Sequence, residues 1–253
     1  MPIHYIKTPR GFEKTSFFNH GITGAIWRLD CVLKTSMRQD RGSWIEVERK
    51  IYDRIDNRHD NILRYYGAIE DGIVLQHAPN GNIVEYLRSN PNVPYSLRQK
   101  WIDQTLSAVS FLHRNGILHG DLCFRNILLD ADLNALLGDF AGSSLDGCDS
   151  LIAYSSRHEH PAVLDLGTES EIFALGTVIY EITRGAEPFP SLLAHEVEDA
   201  FAAKQYPDDL AACPMEQIIW KCWELQFNSC DDILTASRAR GISALDFRAE
   251  SLR

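Results

Sequence analysis

The amino-acid sequence predicts an α+β fold, in which a small N-terminal lobe of antiparallel strands with one helix precedes a larger, mainly helical C-terminal lobe. Three observations support this prediction. Short apolar and β-branched runs are concentrated in the first third of the chain, longer apolar segments with helical spacing occupy the rest, and a polar break at Pro79-Asn80-Gly81 separates the two. We therefore interpret the 253 residues as one domain, with an N-lobe at 1–76, a hinge at 77–81 and a C-lobe at 82–253.

The elements of the N-terminal lobe are predicted from short runs that alternate with turns. Apolar residues recur at helical spacing over Ser43–Ile55, which predicts a helix. Asp71-Gly72 lies between two apolar runs and is a strong hairpin signal. The predicted strands of this lobe are Thr15–Phe18, Ala25–Leu29, Cys31–Lys34, Ile62–Tyr66 and Ile73–His77.

The elements of the C-terminal lobe are predicted from longer apolar segments. A helix is expected to begin at Ser96, because Gln99 follows at the spacing of a capping box. The face that this helix buries is expected to contain Trp101, Ile102, Thr105, Leu106, Ala108, Val109 and Leu112. The other predicted elements are the strands Ile127–Leu129 and Ala135–Leu137 and the helices Ile172–Thr183 and Met215–Trp223.

Composition and charge argue against several classes of protein. Hydrophobic residues make up 45% of the chain and charged residues 24%, as in an ordinary soluble domain. The net charge of −10 disfavours nucleic acid or an anionic membrane as the main partner, because both attract clustered Lys and Arg. No apolar run is long enough to cross a bilayer, and Met1–Arg10 does not resemble a secretory signal.

The six cysteines contain no closely spaced pair of the kind that binds a metal. We therefore expect free thiols in a reducing compartment, and hence a cytoplasmic protein.

Residues suited to phosphoryl transfer follow the predicted Ser96 helix. Within His119–Asn126, Asp121 and Asn126 lie on one predicted loop. Transfer of a phosphoryl group to a hydroxyl needs a carboxylate that orients the hydroxyl and accepts its proton, and an oxygen ligand for Mg²⁺. Asp139 follows the second of two short predicted strands, and a hairpin there returns it beside the loop as a candidate ligand for the metal that bridges nucleotide phosphates.

These residues resemble the motifs of eukaryotic-type protein kinases. That family's catalytic loop reads H-R-D-x-x-x-x-N and its metal loop reads D-F-G. Here His119–Asn126 reads His-Gly-Asp-Leu-Cys-Phe-Arg-Asn, and Asp139–Gly142 reads Asp-Phe-Ala-Gly. Val32-Leu33-Lys34 resembles the strand that carries the phosphate-binding lysine, and Ser170–Gly176 resembles the start of the central helix, with Glu171 in place of the usual aspartate. The resemblance implies a bilobal protein-kinase-like fold.

The resemblance also implies ATP and Mg²⁺ as cofactors and a protein as substrate or signalling partner. Lys34, oriented by Glu48 on the predicted helix, would hold the nucleotide phosphates. Asp121 would position the acceptor hydroxyl, while Asn126 and Asp139 would bind Mg²⁺. His119 is expected to be structural, packing under Phe140 and fixing the loop. The implied ATP-binding residues are Asn19, Gly21, Gly24 and Lys34 at the phosphates, Ile26, Val32 and Leu128 around the adenine, Leu75 as gatekeeper, and Gln76, His77 and Ala78 through their backbones.

Three positions depart from the family pattern. Asn19 stands where the phosphate loop has its first glycine, so looser nucleotide binding is expected. Gly120 replaces the arginine that receives an activation-loop phosphate, which disfavours switching by that route. Cys123, expected to be inert, replaces the lysine of serine/threonine kinases. The loop instead resembles that of tyrosine kinases, which place Arg125 near the acceptor.

The segment Ser143–Pro161 departs further, because it lacks a clear A-P-E motif. His158-Glu159-His160-Pro161 occupies roughly its place, with Arg238 and Arg240 as candidate partners for the glutamate. We interpret Ser143, Ser144 and Tyr154–Ser156 as parts of a solvated loop rather than as phosphorylation sites.

Three functions stay open at this point. An active protein kinase is supported by the order and spacing of the polar residues. A nucleotide-binding pseudokinase, acting as a scaffold or allosteric regulator, is favoured by Asn19, Gly120 and the missing A-P-E motif. A small-molecule phosphotransferase of the aminoglycoside or choline kinase type often has an H-G-D loop, but the Ile172–Thr183 helix and Lys221-Cys222-Trp223 resemble protein kinases.

Overall fold

Antiparallel strands and one helix precede a series of helices, which confirms the predicted bilobal α+β fold. The computed structural model describes residues 17–20, 25–27, 30–36, 42–69, 72–148, 154–163 and 165–250. Gly21 and Gly24 of the implied phosphate loop lie outside the described residues.

The N-terminal lobe contains two small antiparallel sheets and one helix among its described residues. Its elements are β1 (Phe17–His20), β2 (Ala25–Trp27), β3 (Cys31–Thr35), α1 (Gly42–Ile55), β4 (Tyr65–Ile69) and β5 (Gly72–Gln76). β1 pairs with β2, and β5 lies between β3 and β4 in the second sheet. The side chains of Ile51, Tyr52 and Ile55 are buried, so α1 packs one face into the core as its apolar spacing predicts.

The C-terminal lobe is built on helices, with four very short strands that carry its loops. Its described helices are α2 (Ile83–Ser89), α3 (Tyr95–Arg114), α4 (Thr168–Arg184), α5 (Ala194–Ala202), α6 (Glu216–Trp223) and α7 (Cys230–Glu250). Its strands are β6 (Ile117–Leu118), β7 (Ile127–Leu129), β8 (Ala135–Leu137) and β9 (Ser144–Leu145). β6 pairs with β9 and β7 with β8, so these two hairpin-like pairs fix the ends of the loop at His119–Asn126.

Helix α4 forms the centre of the larger lobe. Every residue from Ser170 to Ile182 is buried, as expected of a helix with nearly continuous apolar content. At Gly176, α4 approaches α6 so closely that an added Cβ would lie 2.7 Å from Cys222 Cβ and 3.0 Å from Trp223 Cδ1. Buried apolar residues form one cluster that runs from α1 to α7, so both lobes share a continuous core.

Several predicted elements are confirmed and two are wrong in detail. β7 and β8 have the predicted bounds, and the predicted face of α3 is buried. The strand predicted over Ile62–Tyr66 begins too early, because β4 starts only at Tyr65. Leu63 N–H instead donates to the carbonyl of Leu137 at 2.9 Å, so this apolar stretch joins β8 and not the N-lobe sheet.

The capping box predicted at Ser96 is also wrong. Helix α3 begins at Tyr95 after Pro94, and no side chain caps it. Gln99 instead accepts a hydrogen bond from the Tyr95 hydroxyl at 2.8 Å and donates to Asp103 at 3.0 Å. Proline already has the backbone conformation of a helix cap, so the helix starts one residue earlier and places Ser96 inside it.

The six cysteines are all free, as the sequence predicts, and four of them are buried. Among the described residues, none of the helices has the length and apolar character needed to cross a membrane.

Candidate active site

The stretch His119–Asn126 runs from β6 to β7 and ends in a 3₁₀ turn at Phe124–Asn126. The turn brings Asn126 back to Asp121. Asn126 Nδ2 donates to the Asp121 carbonyl at 2.8 Å and to Asp121 Oδ2 at 2.9 Å. These bonds fix the orientation of the Asp121 carboxylate, and both side chains stay partly open to solvent. The loop therefore holds a carboxylate and an amide together in a rigid arrangement.

Lys34 lies between two carboxylates that come from different parts of the chain. Its Nζ is 2.7 Å from Glu48 Oε2 on α1 and 2.8 Å from Asp139 Oδ1, two residues after β8. Glu48 is fully buried, whereas 31% of the Lys34 side chain and 47% of the Asp139 side chain are exposed. The ammonium group is therefore anchored from behind and accessible from the cleft side.

The charges of these three groups follow from burial and proximity. Burial lowers the pKa of Lys34, but Glu48 and Asp139 outweigh it, so the pKa lies above its ordinary value. Burial also opposes ionisation of Asp139, yet Lys34 outweighs this effect and holds the pKa of Asp139 below its ordinary value. For Glu48, burial is the larger effect and raises the pKa despite Lys34. At neutral pH a fixed cation and a fixed anion therefore lie side by side.

The loop after β8 is held by its phenylalanine. Phe140 lies with its ring 5.0 Å from that of Tyr52 on α1 and 5.3 Å from that of His119, and its N–H donates to Glu48 Oε1 at 3.3 Å. His119 Nε2 is hydrogen-bonded to the Gly138 carbonyl at 3.0 Å. These contacts confirm the structural role predicted for His119.

Asp139 itself has a left-handed backbone, with φ of 62°. That conformation is unfavourable for most residues other than glycine, although aspartate tolerates it better than most. The contacts of Phe140 hold it in place, and the result is that the Asp139 carboxylate turns toward Lys34.

Two buried glutamates of α4 bind the backbone of the catalytic-loop stretch. Glu171 Oε1 accepts a hydrogen bond from Gly120 N–H at 2.8 Å, and Glu181 Oε2 accepts one from Phe124 N–H at 3.1 Å. Sequence reasoning identified Glu171 without its partner and missed Glu181 entirely. The sequence does contain a signal for Glu181, because an acidic residue within a nearly continuous apolar helix is expected to be buried and hydrogen-bonded.

Gly120 stands where the kinase motif has an arginine, and it contributes a backbone contact instead of a side chain. Its φ of 74° is left-handed, which glycine adopts without steric penalty. Its N–H points to Glu171 in this conformation.

The residues implied for the adenine pocket lie around β3, β5 and β7. The side chain of Val32 is 41% exposed, Leu75 is buried, and Leu128 is partly exposed. Asn19 and Ile26 face each other in the backbone register of β1 and β2.

The segment that follows β5 already uses most of its amides within the protein. Gln76 N–H donates to the Arg64 carbonyl at 2.8 Å and His77 N–H donates to the Asp30 carbonyl at 3.3 Å. Ala78 N–H has no hydrogen-bond partner among the described residues, so it is the amide of this segment that is open to a ligand.

Arg125 and Cys123, the two positions behind the comparison with tyrosine kinases, have different surroundings, because Arg125 is exposed and Cys123 is buried. Arg125 Nη1 pairs with Glu187 Oε1 at 3.0 Å, beside a cavity of about 410 Å³ that Glu85 and Arg88 also line. Cys123 is buried, and burial together with the nearby Asp121 raises its pKa to about 12. Its thiol therefore keeps its proton at neutral pH, in agreement with the inert role predicted.

The interpretation of Ser143, Ser144 and Tyr154 as solvated is wrong. Ser143 and Ser144 are buried, and Ser143 Oγ donates to the His119 carbonyl at 2.6 Å. The Tyr154 hydroxyl donates to Glu171 Oε1 at 2.9 Å. Polar side chains suggested solvent exposure, but here the hydroxyls of Ser143 and Tyr154 satisfy the His119 carbonyl and the buried Glu171 carboxylate.

The segment His158–Pro161, which stands in the place of the A-P-E motif, does not make the arginine contact that the sequence suggested. Among the described residues, no ion pair joins Glu159 to Arg238 or Arg240. His160 instead packs edge-on against Phe173 of α4, with ring centroids 5.2 Å apart.

The donor set of the site fits Mg²⁺ better than a metal that needs a cage of protein ligands. Among the described residues, no three His, Cys, Asp or Glu side chains converge as a metal site. Mg²⁺ is usually held by one or two protein oxygens together with substrate phosphates. The carboxylate of Asp139 and the amide of Asn126 are oxygen donors of this kind, and Lys34 lies beside Asp139 as a partner for phosphate.

A bilobal α+β fold with a half-exposed lysine paired to a buried glutamate, a fixed Asp–Asn loop and an acidic loop after a short hairpin defines the kinase class of phosphotransferases. The comparison with known families agrees, since the family model described as "Protein kinase domain" matches residues 20–236. The chain belongs to the protein kinase family.

Curated relatives that match this chain are kinases from animals and from a yeast. The chain is 32% identical over 166 residues to the serine/threonine-protein kinase kin-29 of Caenorhabditis elegans, covering 60% of this chain and 20% of that protein. It is 26% identical over 196 residues to the human NUAK family SNF1-like kinase 1, covering 73% and 28%. It is 29% identical over 182 residues to the Aurora kinase of Schizosaccharomyces pombe, covering 68% and 51%. The chain thus spans between a fifth and a half of the length of these relatives.

Proposed function

We propose that this protein is an ATP-dependent protein kinase that transfers the γ-phosphate of ATP to a protein hydroxyl in intracellular signalling. The proposal rests on one observation above all. Lys34 Nζ contacts Glu48 and Asp139 simultaneously, at 2.7 Å and 2.8 Å, while 31% of its side chain faces solvent. Both the lysine–glutamate pair and the metal-loop aspartate must be in place for a kinase to act.

Each residue of the site then has a role. Lys34 binds the nucleotide phosphates, and Glu48 holds it in position. Asn126 and Asp139 would hold Mg²⁺, which would neutralise charge on the phosphates. Asp121 orients the acceptor hydroxyl and accepts its proton as the hydroxyl oxygen bonds to the γ-phosphorus and the bond to ADP breaks.

The nucleotide base is proposed to lie between Val32 and Leu128, with Ile26 beside them and Leu75 at the back of the pocket. Ala78 N–H is the backbone donor that this pocket offers, because it has no protein partner among the described residues. The hinge between the lobes is proposed at residues 77–81.

The acceptor is proposed to be a protein hydroxyl, and the protein is proposed to act in the cytoplasm. Free thiols at all six cysteines support a reducing compartment. A relative is named a serine/threonine kinase. Arg125, on which the tyrosine-kinase-like interpretation depends, pairs with Glu187, so serine or threonine is the better-supported acceptor.

The test compares two aspartate-to-asparagine variants. Asp121→Asn keeps the size of the side chain but removes the proton acceptor, so transfer of phosphate from ATP–Mg²⁺ to a protein acceptor is expected to fall at least a hundredfold. Asp132→Asn makes the same change at an exposed turn between β7 and β8 and should leave the rate unchanged. Equal transfer by wild type and Asp121→Asn would refute the proposal.

A nucleotide-binding pseudokinase is the second candidate, favoured by Asn19 at the first glycine position of the phosphate loop. In that case ATP would stabilise the fold without turnover on any acceptor. A measured ATP-dependent rise in melting temperature, with no phosphate transfer, would favour this candidate.

A further inference from the structure

Glu171 bridges two separate segments of the chain. The oxygen that accepts Gly120 N–H at 2.8 Å also accepts the Tyr154 hydroxyl at 2.9 Å, and its other oxygen lies 2.6 Å from His113 Nε2. Burial raises the pKa of Glu171, but His113 and Gly120 outweigh it, and the pKa lies below its ordinary value. Burial beside this carboxylate raises the pKa of Tyr154 well above its ordinary value. The Tyr154 hydroxyl therefore keeps its proton and donates a hydrogen bond to the ionised Glu171 carboxylate.

Glu181 contacts two segments in a looser way, almost three helical turns further along α4. Its Oε2 accepts Phe124 N–H at 3.1 Å, and its Oε1 lies 3.2 Å from His158 Nε2. The second ring nitrogen of His158 is hydrogen-bonded to Ser155 Oγ at 2.9 Å. Glu181 is fully buried and His158 is 2% exposed. Neither Glu181 Oε1 nor His158 Nε2 has a hydrogen-bond partner among the described residues, so the two atoms face each other as a close polar contact without a hydrogen bond.

The segment between Tyr154 and His158 is also fixed through Arg157. Thr177 Oγ1 of α4 donates to the Arg157 carbonyl at 2.8 Å. The Arg157 guanidinium donates to three carbonyls of the loop after α4, at 2.9 to 3.0 Å. Residues 154–158 are thus held against α4 at both ends and in the middle.

We propose that Tyr154 and His158 are positioning residues for phosphate transfer. Through the Tyr154–Glu171 hydrogen bond and the His158–Glu181 contact they couple residues 154–158 to the loop that carries Asp121, and this coupling fixes the position of the Asp121 carboxylate. The role in catalysis rests on the proposed protein kinase activity, whereas the coupling itself is a property of the fold.

The shared oxygen of Glu171 gives the coupling its physical basis. Gly120 N–H and the Tyr154 hydroxyl bind the same Oε1, so loss of one donor changes the charge and position of the atom that holds the other. Gly120 immediately precedes Asp121, so a shift there is transmitted directly to the catalytic carboxylate.

Tyr154→Phe tests this proposal, because it removes one hydroxyl and keeps the ring. The expected result is a fall of about tenfold in kcat/KM for the protein acceptor, with KM for ATP unchanged because the Lys34 site is not touched. Tyr95→Phe is the matched control, since it removes a hydroxyl that donates to Gln99 at 2.8 Å on α3. An acceptor kcat/KM for Tyr154→Phe equal to that of Tyr95→Phe would overturn the proposal.

His158 is tested by a pair of variants. His158→Phe removes both ring nitrogens and should lower acceptor kcat/KM, whereas His158→Gln keeps an N–H that can donate to Glu181 and should recover part of the loss. Equal losses in the two variants would contradict a role through the contact with Glu181.

Hydrogen exchange separates this proposal from the proposed enzyme activity. In Tyr154→Phe, the amides of residues 119–126 should exchange severalfold faster, together with those of residues 154–158. Faster exchange in residues 154–158 alone would overturn the coupling, whether or not the wild type transfers phosphate. Absence of transfer by the wild type would refute the enzyme activity, and the exchange result would still decide on the coupling.

Discussion

The ammonium group of Lys34 explains much about the site at the level of single residues. A lone lysine on a short strand is normally a solvated surface group. Here two carboxylates from α1 and the loop after β8 surround it, and their attraction overcomes the burial that would favour the neutral amine. Lys34 and Asp139 therefore keep opposite charges in close contact.

Glu171 leads to a prediction about acid stability. Its pKa is lowered in the folded state, so the ionised carboxylate stabilises the fold fully above its unfolded pKa of about 4.3 and loses this effect as the pH falls through the lower folded value. Glu171→Gln is expected to reduce the free energy of unfolding by about 1–3 kcal/mol at pH 7, because the amide oxygen is a weaker acceptor for the Gly120 N–H and the Tyr154 hydroxyl. The difference from wild type should shrink below about pH 4.

Urea denaturation across pH measures this difference. Glu216→Gln, at an exposed position of α6, is the control and should change stability little at any pH. A difference between Glu171→Gln and wild type that stays constant down to the lowest pH at which both proteins fold would contradict the prediction.

Some residues of the site could be predicted from the sequence and others could not. Asp121, Asn126 and Asp139 occur in short local motifs, and the structure shows the bonds that hold them. Tyr154 and His158 have no such motif, because their partners lie on a helix that is distant in sequence. A contact between a buried acid and a distant donor is visible only when the fold brings them together.

At the level of elements, the packing of α4 against α6 depends on Gly176. A Cβ at this position would lie 2.7 Å from Cys222 Cβ, closer than carbon atoms approach in proteins. Gly176→Ala is therefore expected to lower the free energy of unfolding by about 1–3 kcal/mol, even though alanine favours helices.

Chemical denaturation of matched glycine variants tests this expectation. Gly167→Ala is the control, because an added Cβ there meets no atom within 4 Å. Its stability should change by no more than about 0.5 kcal/mol. A Gly176→Ala variant as stable as Gly167→Ala would show that α4 and α6 can separate without penalty.

The sequence predicts elements best where one apolar pattern dominates. The β7–β8 pair and the buried face of α3 are correct because each consists of a clear apolar run or stripe. Helices α2, α5 and α7 were not individually predicted. α2 and α5 are short, and the first turns of α7 combine acidic and polar residues with few apolar ones, so none shows a long amphipathic stripe.

At the level of the whole molecule, the segment from Asp139 to Asp146 joins the two lobes. Lys34 binds its first residue, Phe140 packs against Tyr52, and Arg54 of α1 pairs with Asp146 at 2.6 Å. Each contact links β3 or α1 to the segment that follows β8. The segment therefore links the proposed phosphate-binding lysine on β3 to the part of the C-terminal lobe that follows β8.

The order of motifs along the chain predicted the bilobal fold, because strands, helix and loops occur in the sequence in the order of the two lobes. It did not predict how the loops are supported. That support comes from α4, whose glutamates bind segments that lie on its N-terminal side in sequence. Such long-range pairing follows from the assembled core and not from local pattern.

The central claim is that Lys34 and its two carboxylates form a working nucleotide site, and one measurement tests it most directly. Mg²⁺-dependent ATP binding and phosphate transfer to a protein acceptor are measured for wild type, Lys34→Met and Lys50→Met. Lys50 is exposed on α1, and its Nζ lies 3.7 Å from Glu46, so its replacement is the matched control. Wild type and Lys50→Met are expected to bind ATP and transfer phosphate equally, and Lys34→Met is expected to lose at least a hundredfold in transfer. Equal transfer by Lys34→Met and wild type would contradict the account.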